Sequence, residues 1–208
     1  MGLLRKFFSN TGKPEGVMGK IVVAMMNKGH AGIASWGFSH LKLRGDEAVL
    51  DCGCGGGANI AVFLGMLPEG QVTGLDYSPV SVEKAREVNS AAIATGRCSI
   101  VQGNVQALPF DDGGFDVVTA FETVYFWPEL PRCFGEIHRV LKPGGVFMIT
   151  NEASGRTKSH EKWQKIVDNM SVYTGEELEK LLTGAGFARV EIDEDLGHDR
   201  LNVRAYKG

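Results

Sequence analysis

Two carboxylates and a run of glycines follow two short apolar segments of this chain. Asp51 ends the segment 48–51 and is followed by glycine at positions 53, 55 and 57, and Asp76 ends the segment 71–76. Alternate glycines let the backbone approach a ligand closely and take φ > 0, whereas Asp51 would attract an ammonium or hydroxyl group and repel a phosphate. Since Asp76 can accept both hydroxyls of a ribose, the pattern predicts a pocket for a nucleoside that carries positive charge and no phosphates.

The glycine loop by itself leaves a second interpretation open. Gly53, Gly55 and Ala58 also fit the G-x-G-x-x-G/A fingerprint of dinucleotide-binding proteins, so an NAD-dependent oxidoreductase is an alternative. With either ligand, the apolar residues 60–64 predict a helix directly after the loop, whose N-terminal amides face the ligand.

Five motifs occur in order between Glu47 and the C-terminus, at residues 51–57, 74–78, 101–110, 115–118 and 139–145. In this order and spacing, the chain resembles the class I S-adenosylmethionine-dependent methyltransferases, of the small-molecule type that is similar to the quinone-biosynthesis methyltransferases. The resemblance implies S-adenosylmethionine as the cofactor and methyl transfer to a small-molecule acceptor that the sequence does not identify. A non-catalytic S-adenosylmethionine-binding module is a further alternative.

The resemblance assigns the first motif to the methionine part of the cofactor. Asp51 would lie there with the loop formed by Gly53, Cys54, Gly55 and Gly57. The chain has four cysteines, with no second pair at metal-ligand spacing. We therefore expect buried, reduced thiols and no metal, because free cysteine is most often simply buried.

The later motifs would hold the rest of the cofactor. By the same resemblance, Asp76 would bind the ribose hydroxyls, and Tyr77 would pack near the adenine. Asn104 stands where the family often has Asp, and its carbonyl oxygen could accept from the adenine amino group beside Val105. Glu122, after the fourth predicted strand, would face the region between cofactor and acceptor.

Methyl transfer from a sulfonium is a direct displacement that depends mainly on alignment, although a general base helps when the acceptor is a hydroxyl or an activated carbon. The candidates for that base are His30, His40 and Glu122. His138 and His198 are expected at the surface. Four aromatic residues could line an apolar acceptor pocket or belong to the core: Tyr125, Trp127, Trp163 and Tyr173.

Short apolar segments alternate with helical ones, which is typical of a doubly wound parallel sheet with right-handed crossovers. Strands are predicted over 48–51, 71–76, 98–102, 115–120 and 145–151. Helices are predicted over 78–94, 128–140 and 176–184, the first with an N-cap at Ser78 and the last after a capping box at Thr174.

Two final strands, 187–193 and 201–207, are joined by a short connection and should form an antiparallel hairpin. The predicted fold class is therefore α/β, a Rossmann-like doubly wound seven-stranded sheet, mostly parallel with a C-terminal antiparallel hairpin. The resemblance implies that the last strand lies between the fifth and the sixth.

The predicted domain organisation is an N-terminal helical cap over 1–45 and a methyltransferase domain over 46–208. Apolar residues recur at helical spacing in the cap, at Met18, Ile21, Val22, Met25 and Met26. The cap is either a helix packed on the sheet or a lid over the acceptor pocket. The segment 151–173 should also help to define the acceptor, because ligands bind at the carboxyl ends of strands in such sheets.

Composition and charge limit the kinds of molecule that this protein is expected to bind. The chain of 208 residues is 43% hydrophobic and 23% charged, with a net charge of −3, which is typical of a globular domain. No cluster of basic residues would follow a phosphate backbone, and residues 121–127 lack the motifs of nucleic-acid methyltransferases, so no nucleic-acid partner is expected. No signal peptide or membrane-spanning run is recognised. We expect a cytoplasmic protein whose oligomeric state is open.

Overall fold

The computed structural model of the protein describes residues 31–157 and 170–208. Within these residues, seven strands form one sheet: β1 (Ala48–Cys52), β2 (Gln71–Asp76), β3 (Cys98–Gln102), β4 (Phe115–Phe121), β5 (Leu141–Asn151), β6 (Arg189–Asp195) and β7 (Arg200–Tyr206). The spatial order is β3-β2-β1-β4-β5-β7-β6. Strands β1 to β5 pair in parallel, and β7 is antiparallel to its neighbours β5 and β6. The predicted fold class and the position of the last strand are confirmed.

Helices cover both faces of the sheet. The described helices are α1 (Ala31–Phe38), α2 (Ala58–Met66), α3 (Pro79–Val88), α4 (Ser90–Ala94), α5 (Leu130–Val140) and α6 (Gly175–Gly184), with a 3-10 turn at Val124–Phe126. Strand β5 shows the two layers directly. Phe147 lies in the core that α5 and α6 complete, and Met148 lies in the core formed with α1, α2 and α3. Strands buried on both faces explain the continuous apolar segments of the sequence.

Two predicted helix starts are confirmed, and one predicted helix is interrupted. Ser78 Oγ accepts from Ser81 N at 3.4 Å, and Thr174 forms the expected capping box with Glu177. The helix predicted over 78–94 is divided at Asn89, whose side chain is buried and bonds to backbone carbonyls. The Asn89 amide bonds to the glycine loop and the helix breaks at this residue. The break was not predicted because the residues on both sides of Asn89 have helical periodicity.

Three other predicted boundaries differ by a few residues. Helix α5 begins at Leu130, not at residue 128, because Glu129 takes the left-handed conformation at its N-cap. Strand β5 begins at Leu141, where it pairs with Phe115 before a shift in register. The final hairpin has the predicted antiparallel pairing, with β6 displaced to residues 189–195.

Helix α1 packs on the sheet at the carboxyl ends of the central strands. A Cβ at Gly37 would lie 2.7 Å from Phe121 Cε1 and 2.7 Å from Thr150 Oγ1, so only glycine allows this approach. Residues 1–30 lie outside the described residues, and so does the Met18–Met26 face. The helical cap and its role as a lid therefore stay predictions.

The described ranges contain neither a membrane-spanning helix nor a cluster of metal ligands. None of the helices there is long and apolar enough to cross a membrane. The same ranges contain no group of three or more His, Cys, Asp or Glu side chains arranged to hold a metal ion.

Candidate functional site

The glycine loop after β1 is fixed at its ends and open in the middle. Gly53, Gly55 and Gly57 all have positive φ, at 77°, 53° and 79°. A Cβ at Gly53 would lie 2.2 Å from Thr123 Oγ1, whereas a Cβ at Gly55 would have no protein atom within 4 Å. The first glycine is therefore required by packing, and the second faces free space at the carboxyl edge of the sheet.

The far end of the loop is held by helix α3. A Cβ at Gly57 would lie 2.6 Å from Asn89 Nδ2 and 2.9 Å from Ala85 Cα. Asn89 Nδ2 donates to the carbonyl of Gly57 at 3.0 Å and to that of Ala85 at 3.0 Å. At the near end, the backbone amides of Gly53 and Cys54 donate to Leu75 O at 2.7 and 3.0 Å. These contacts hold both ends of the loop against neighbouring elements.

Asp51 is a buried carboxylate with one oxygen left unsatisfied. The residue is 1% exposed, and Oδ1 accepts from Thr119 Oγ1 at 2.8 Å. Oδ2 is fully buried and has no hydrogen-bond partner within the described residues. Burial raises the pKa of Asp51 to about 7, against the lowering effect of the Thr119 hydroxyl. An unpaired buried carboxylate is costly, so this oxygen is set up to receive a cationic or hydrogen-bonding group.

Asp76 connects the glycine loop to the start of α3. Its Oδ2 accepts from Gly55 N at 2.9 Å, and its Oδ1 accepts from Ser78 N at 2.9 Å. The side chain is buried, and burial raises its pKa. Each carboxylate oxygen has a second lone pair, so Asp76 can still accept hydroxyl protons from a ligand.

The residues predicted near an adenine lie beyond β2 and β3. Tyr77 is exposed. Asn104 is also exposed, and its Oδ1 accepts from Gln106 N at 3.0 Å. Val105 is buried in the core on the α5 side of the sheet. The structure therefore provides an exposed aromatic ring and an exposed amide beside a buried apolar residue.

The cysteines are buried and free in the structure, as expected. Cys54 packs beneath the glycine loop, where its Sγ would lie 2.9 Å from a Cβ at Gly74. Burial raises the pKa of the Cys54 thiol well above its usual value, so the side chain is a neutral packing group. Its contribution to the loop comes through the backbone.

Glu122 lies at the carboxyl end of β4 with a left-handed backbone, φ 55°. Such a conformation is uncommon for a residue other than glycine and is concentrated at functional sites. Oε1 of Glu122 accepts from the Tyr125 hydroxyl at 3.3 Å and from the backbone amide of Glu152. Burial raises the pKa of Glu122 to about 8, and the charge of Glu152 adds to the effect.

Of the two histidines predicted as candidate bases, His40 lies within the described residues. His30 lies outside the described residues. His40 follows α1, where its Nδ1 lies 2.8 Å from Trp36 O and its Nε2 lies 4.0 Å from Asp193 Oδ2 on β6. The ring also packs edge-on against Trp36. These contacts tie His40 to the end of its own helix, and its role as a base stays a prediction.

The remaining described histidines lie away from the glycine loop. His198 is exposed in the β6–β7 turn and pairs with Asp195 at 2.7 Å. His138, on α5, is half-buried and packs edge-on against Phe187. Partial burial lowers its pKa.

Sequence reasoning missed three residues that shape the site, Thr119, Thr123 and Asn89, and it named Tyr125 as a pocket or core residue without its hydrogen bond to Glu122. A hydroxyl within the buried segment 115–121 was the available signal for Thr119, because a buried hydroxyl needs a partner. The other two act through contacts between distant segments, which neither spacing nor composition reveals.

Comparison with known proteins agrees with this geometry. Residues 50–149 match the family model described as a methyltransferase domain. A crystal structure of a SAM-dependent methyltransferase from Aquifex aeolicus superposes with a TM-score of 0.75, covering 91% of this chain and 98% of that chain at 19% identity. Over residues 50–149 this chain is a methyltransferase domain, with the fold of the S-adenosylmethionine-dependent methyltransferases. S-adenosylmethionine is accordingly its cofactor, and the dinucleotide alternative is set aside.

Curated members of this methyltransferase class share part of the sequence. Cycloartenol-C-24-methyltransferase 1 of Oryza sativa subsp. japonica is 31% identical over 162 residues, which are 73% of this chain and 46% of that protein. Sterol 4-C-methyltransferase strm-1 of Caenorhabditis elegans is 35% identical over 128 residues, 59% of this chain and 37% of that protein. The chain therefore spans less than half the length of these relatives. The likeness to quinone-biosynthesis enzymes stays a prediction.

Proposed function

We propose that the protein transfers the methyl group of S-adenosylmethionine to an uncharged small molecule. The observation that carries this proposal is the unsatisfied Oδ2 of Asp51, buried beside an open glycine loop. S-adenosylmethionine presents an ammonium group at its methionine end, and this cation would give Oδ2 the partner that it lacks. The pKa of Asp51 should then fall, because a nearby positive charge favours the carboxylate.

The rest of the site supports the same ligand. Free space in front of Gly55 can admit the methionine chain close to the backbone. Asp76, with its remaining lone pairs, would accept the ribose hydroxyls. Tyr77 and Asn104 would contact the adenine at its exposed side, and Val105 would contribute backbone and apolar contact.

Bound S-adenosylmethionine supplies a methyl group on a positively charged sulfur, which is a good leaving group. The protein's own contribution is alignment, which raises effective concentration by many orders of magnitude. Asp51 and Asp76 would hold the methionine and ribose parts of the cofactor from adjacent strands, β1 and β2. Glu122, at the end of the neighbouring strand β4, would stand on the acceptor side.

The charges at the acceptor side disfavour an anionic acceptor. Glu122 and Glu152 lie together at the ends of β4 and β5. The described cation that follows them along the chain, Arg156, is already paired with Glu194 at 2.8 Å and with Glu176. An acceptor that carries a phosphate would meet repulsion here. The sterol methyltransferases among the relatives support an uncharged lipophilic acceptor as the first class to test.

The test is methyl transfer from S-adenosylmethionine labelled on its methyl group. We expect label in the organic extract with sterols as acceptors, and less with isoprenoid quinol precursors or with phosphoethanolamine. Asp51→Ala should abolish transfer through lost cofactor binding. Binding of S-adenosylhomocysteine without transfer to any acceptor class would favour the non-catalytic module instead.

A further inference from the structure

The carboxyl group of Glu122 accepts two hydrogen bonds on one of its oxygens, Oε1. Thr123, the next residue, lies where a Cβ of Gly53 would be, so the Glu122 backbone adjoins the cofactor loop. The left-handed backbone of Glu122 is fixed by its amide, which donates to Thr150 O at 2.9 Å. The carboxyl group is therefore held between the cofactor loop and the end of β5.

Oε1 of Glu122 is fully occupied by donors. The Tyr125 hydroxyl donates to it at 3.3 Å, and the amide of Glu152, directly after β5, also donates to it. Tyr125 donates to Glu122 with its single proton, while its own oxygen accepts from Ala153 N at 2.9 Å. A carboxyl proton on Glu122 must therefore reside on Oε2.

The surrounding charges favour a proton on this group when no cofactor is bound. Burial disfavours the carboxylate form of Glu122, and the charge of Glu152, which directly follows β5, repels it as well. Tyr125, from the 3-10 turn, stabilises the carboxylate through its hydroxyl, yet its own pKa is raised well above the usual value by burial. Asp51, on β1, is the other buried acid that titrates near neutrality at this edge of the sheet.

We propose that Oε2 of Glu122 takes up the proton released by the methylated acceptor, and that Tyr125 is the positioning residue that reserves Oε2 for this purpose. The inference rests on the proposed methyl transfer. As the acceptor atom forms its bond to the methyl carbon, the carbon–sulfur bond breaks and its electron pair stays on sulfur. The acceptor's proton then passes to Oε2 and leaves its bonding pair on the acceptor. Glu122 returns the proton to water when the next positively charged cofactor binds.

This cycle links the charge of Glu122 to the charge on sulfur. S-adenosylmethionine and S-adenosylhomocysteine both carry the ammonium group that Asp51 would meet, so proton release from Asp51 should be equal for the two. Only S-adenosylmethionine also carries the sulfonium. The difference in proton release between the two ligands therefore reports on Glu122 and needs no acceptor.

The experiment is calorimetric titration of the full chain in buffers of different ionisation enthalpy, which yields the number of protons released on binding. At pH 7, S-adenosylmethionine should release up to about 0.9 proton more than S-adenosylhomocysteine, because a group of pKa about 8 is mostly protonated before binding. Sinefungin, which carries an amine in place of the sulfonium, should behave as S-adenosylmethionine does. Glu122→Gln should remove the difference and retain binding of both ligands.

Two variants test the positioning role through the pH at which this difference is half-maximal. Tyr125→Phe removes a donor to the carboxylate, so the midpoint should move to higher pH. Glu152→Gln removes a like charge at an exposed position, so the midpoint should move to lower pH. A purely structural role for either residue would shift neither midpoint. Should Tyr125→Phe fail to fold, Glu152→Gln still decides whether Glu122 is the titrating group.

Equal proton release for the two ligands in the parent protein would overturn the inference, and so would a difference that survives in Glu122→Gln. If Tyr125→Phe folds and its midpoint pH does not move, Tyr125 is not a positioning residue for Glu122. Failure of both ligands to bind would instead overturn the proposed function itself, so the two failures are distinguishable.

Discussion

Gly55→Ala should weaken cofactor binding more than it weakens the fold. The added methyl group meets no protein atom within 4 Å, so its steric effect falls on the ligand. The left-handed φ of 53° adds a strain of about 1–2 kcal/mol to any other residue type. If the methyl group displaces the cofactor from one charge-assisted hydrogen bond, binding loses about 1.5–3 kcal/mol. The dissociation constant for S-adenosylhomocysteine should then rise roughly 10- to 150-fold.

Gly96→Ala is the matched control for this change. Gly96 also has a positive φ, 75°, and a Cβ there also meets nothing within 4 Å. It precedes β3, however, and therefore lies at the amino ends of the parallel strands, away from the cofactor loop. Urea denaturation without ligand should show similar losses of unfolding free energy in both variants, while calorimetry should show weakened binding in Gly55→Ala alone. Parent-like affinity in Gly55→Ala, or an equal loss in Gly96→Ala, would refute the assignment of the loop.

Three further predictions concern the acidic and histidine side chains. Burial raises the pKa of Asp51 in the folded protein above its unfolded value, so stability should fall as pH rises from about 4 to about 7. Asp51→Asn should flatten this slope and raise the melting temperature at pH 8, yet weaken S-adenosylhomocysteine binding; an unchanged slope contradicts the assignment. Asp76→Ala should cost about 1.5–3 kcal/mol of cofactor affinity in calorimetry, and parent-like binding would exclude the ribose role. Glu122→Gln should reduce single-turnover methyl transfer roughly 100-fold or more, whereas a comparable loss in His40→Gln would identify His40 as the base.

The sheet and its cofactor edge were predictable because local patterns and global fold agree. Buried parallel strands need continuous apolar segments, and two of these segments end at Asp51 and Asp76. Ser78 and Thr174 marked helix starts through capping chemistry that acts over three residues. Such signals are local, so a sequence displays them fully.

The residues that hold the site in place were not predictable, because they act through contacts between segments that are distant in the sequence. Thr119 and Asp51 are 68 positions apart, and Asn89 and Gly57 are 32 apart. Asn89 also interrupts a helix that periodicity extends to Ala94. The sequence also does not show that the three glycines have different roles. A Cβ at Gly53 or Gly57 would clash with residues of other elements, whereas a Cβ at Gly55 would not.

The most direct test of the account is calorimetric titration of the full chain with S-adenosylhomocysteine and, separately, with NAD, repeated with Asp51→Asn. We predict one-to-one binding of S-adenosylhomocysteine, no binding of NAD, and a lower affinity for S-adenosylhomocysteine in Asp51→Asn. Binding of NAD without S-adenosylhomocysteine, or S-adenosylhomocysteine affinity unaffected by Asp51→Asn, would contradict the claim that the unsatisfied carboxylate at the end of β1 receives the cofactor's ammonium group.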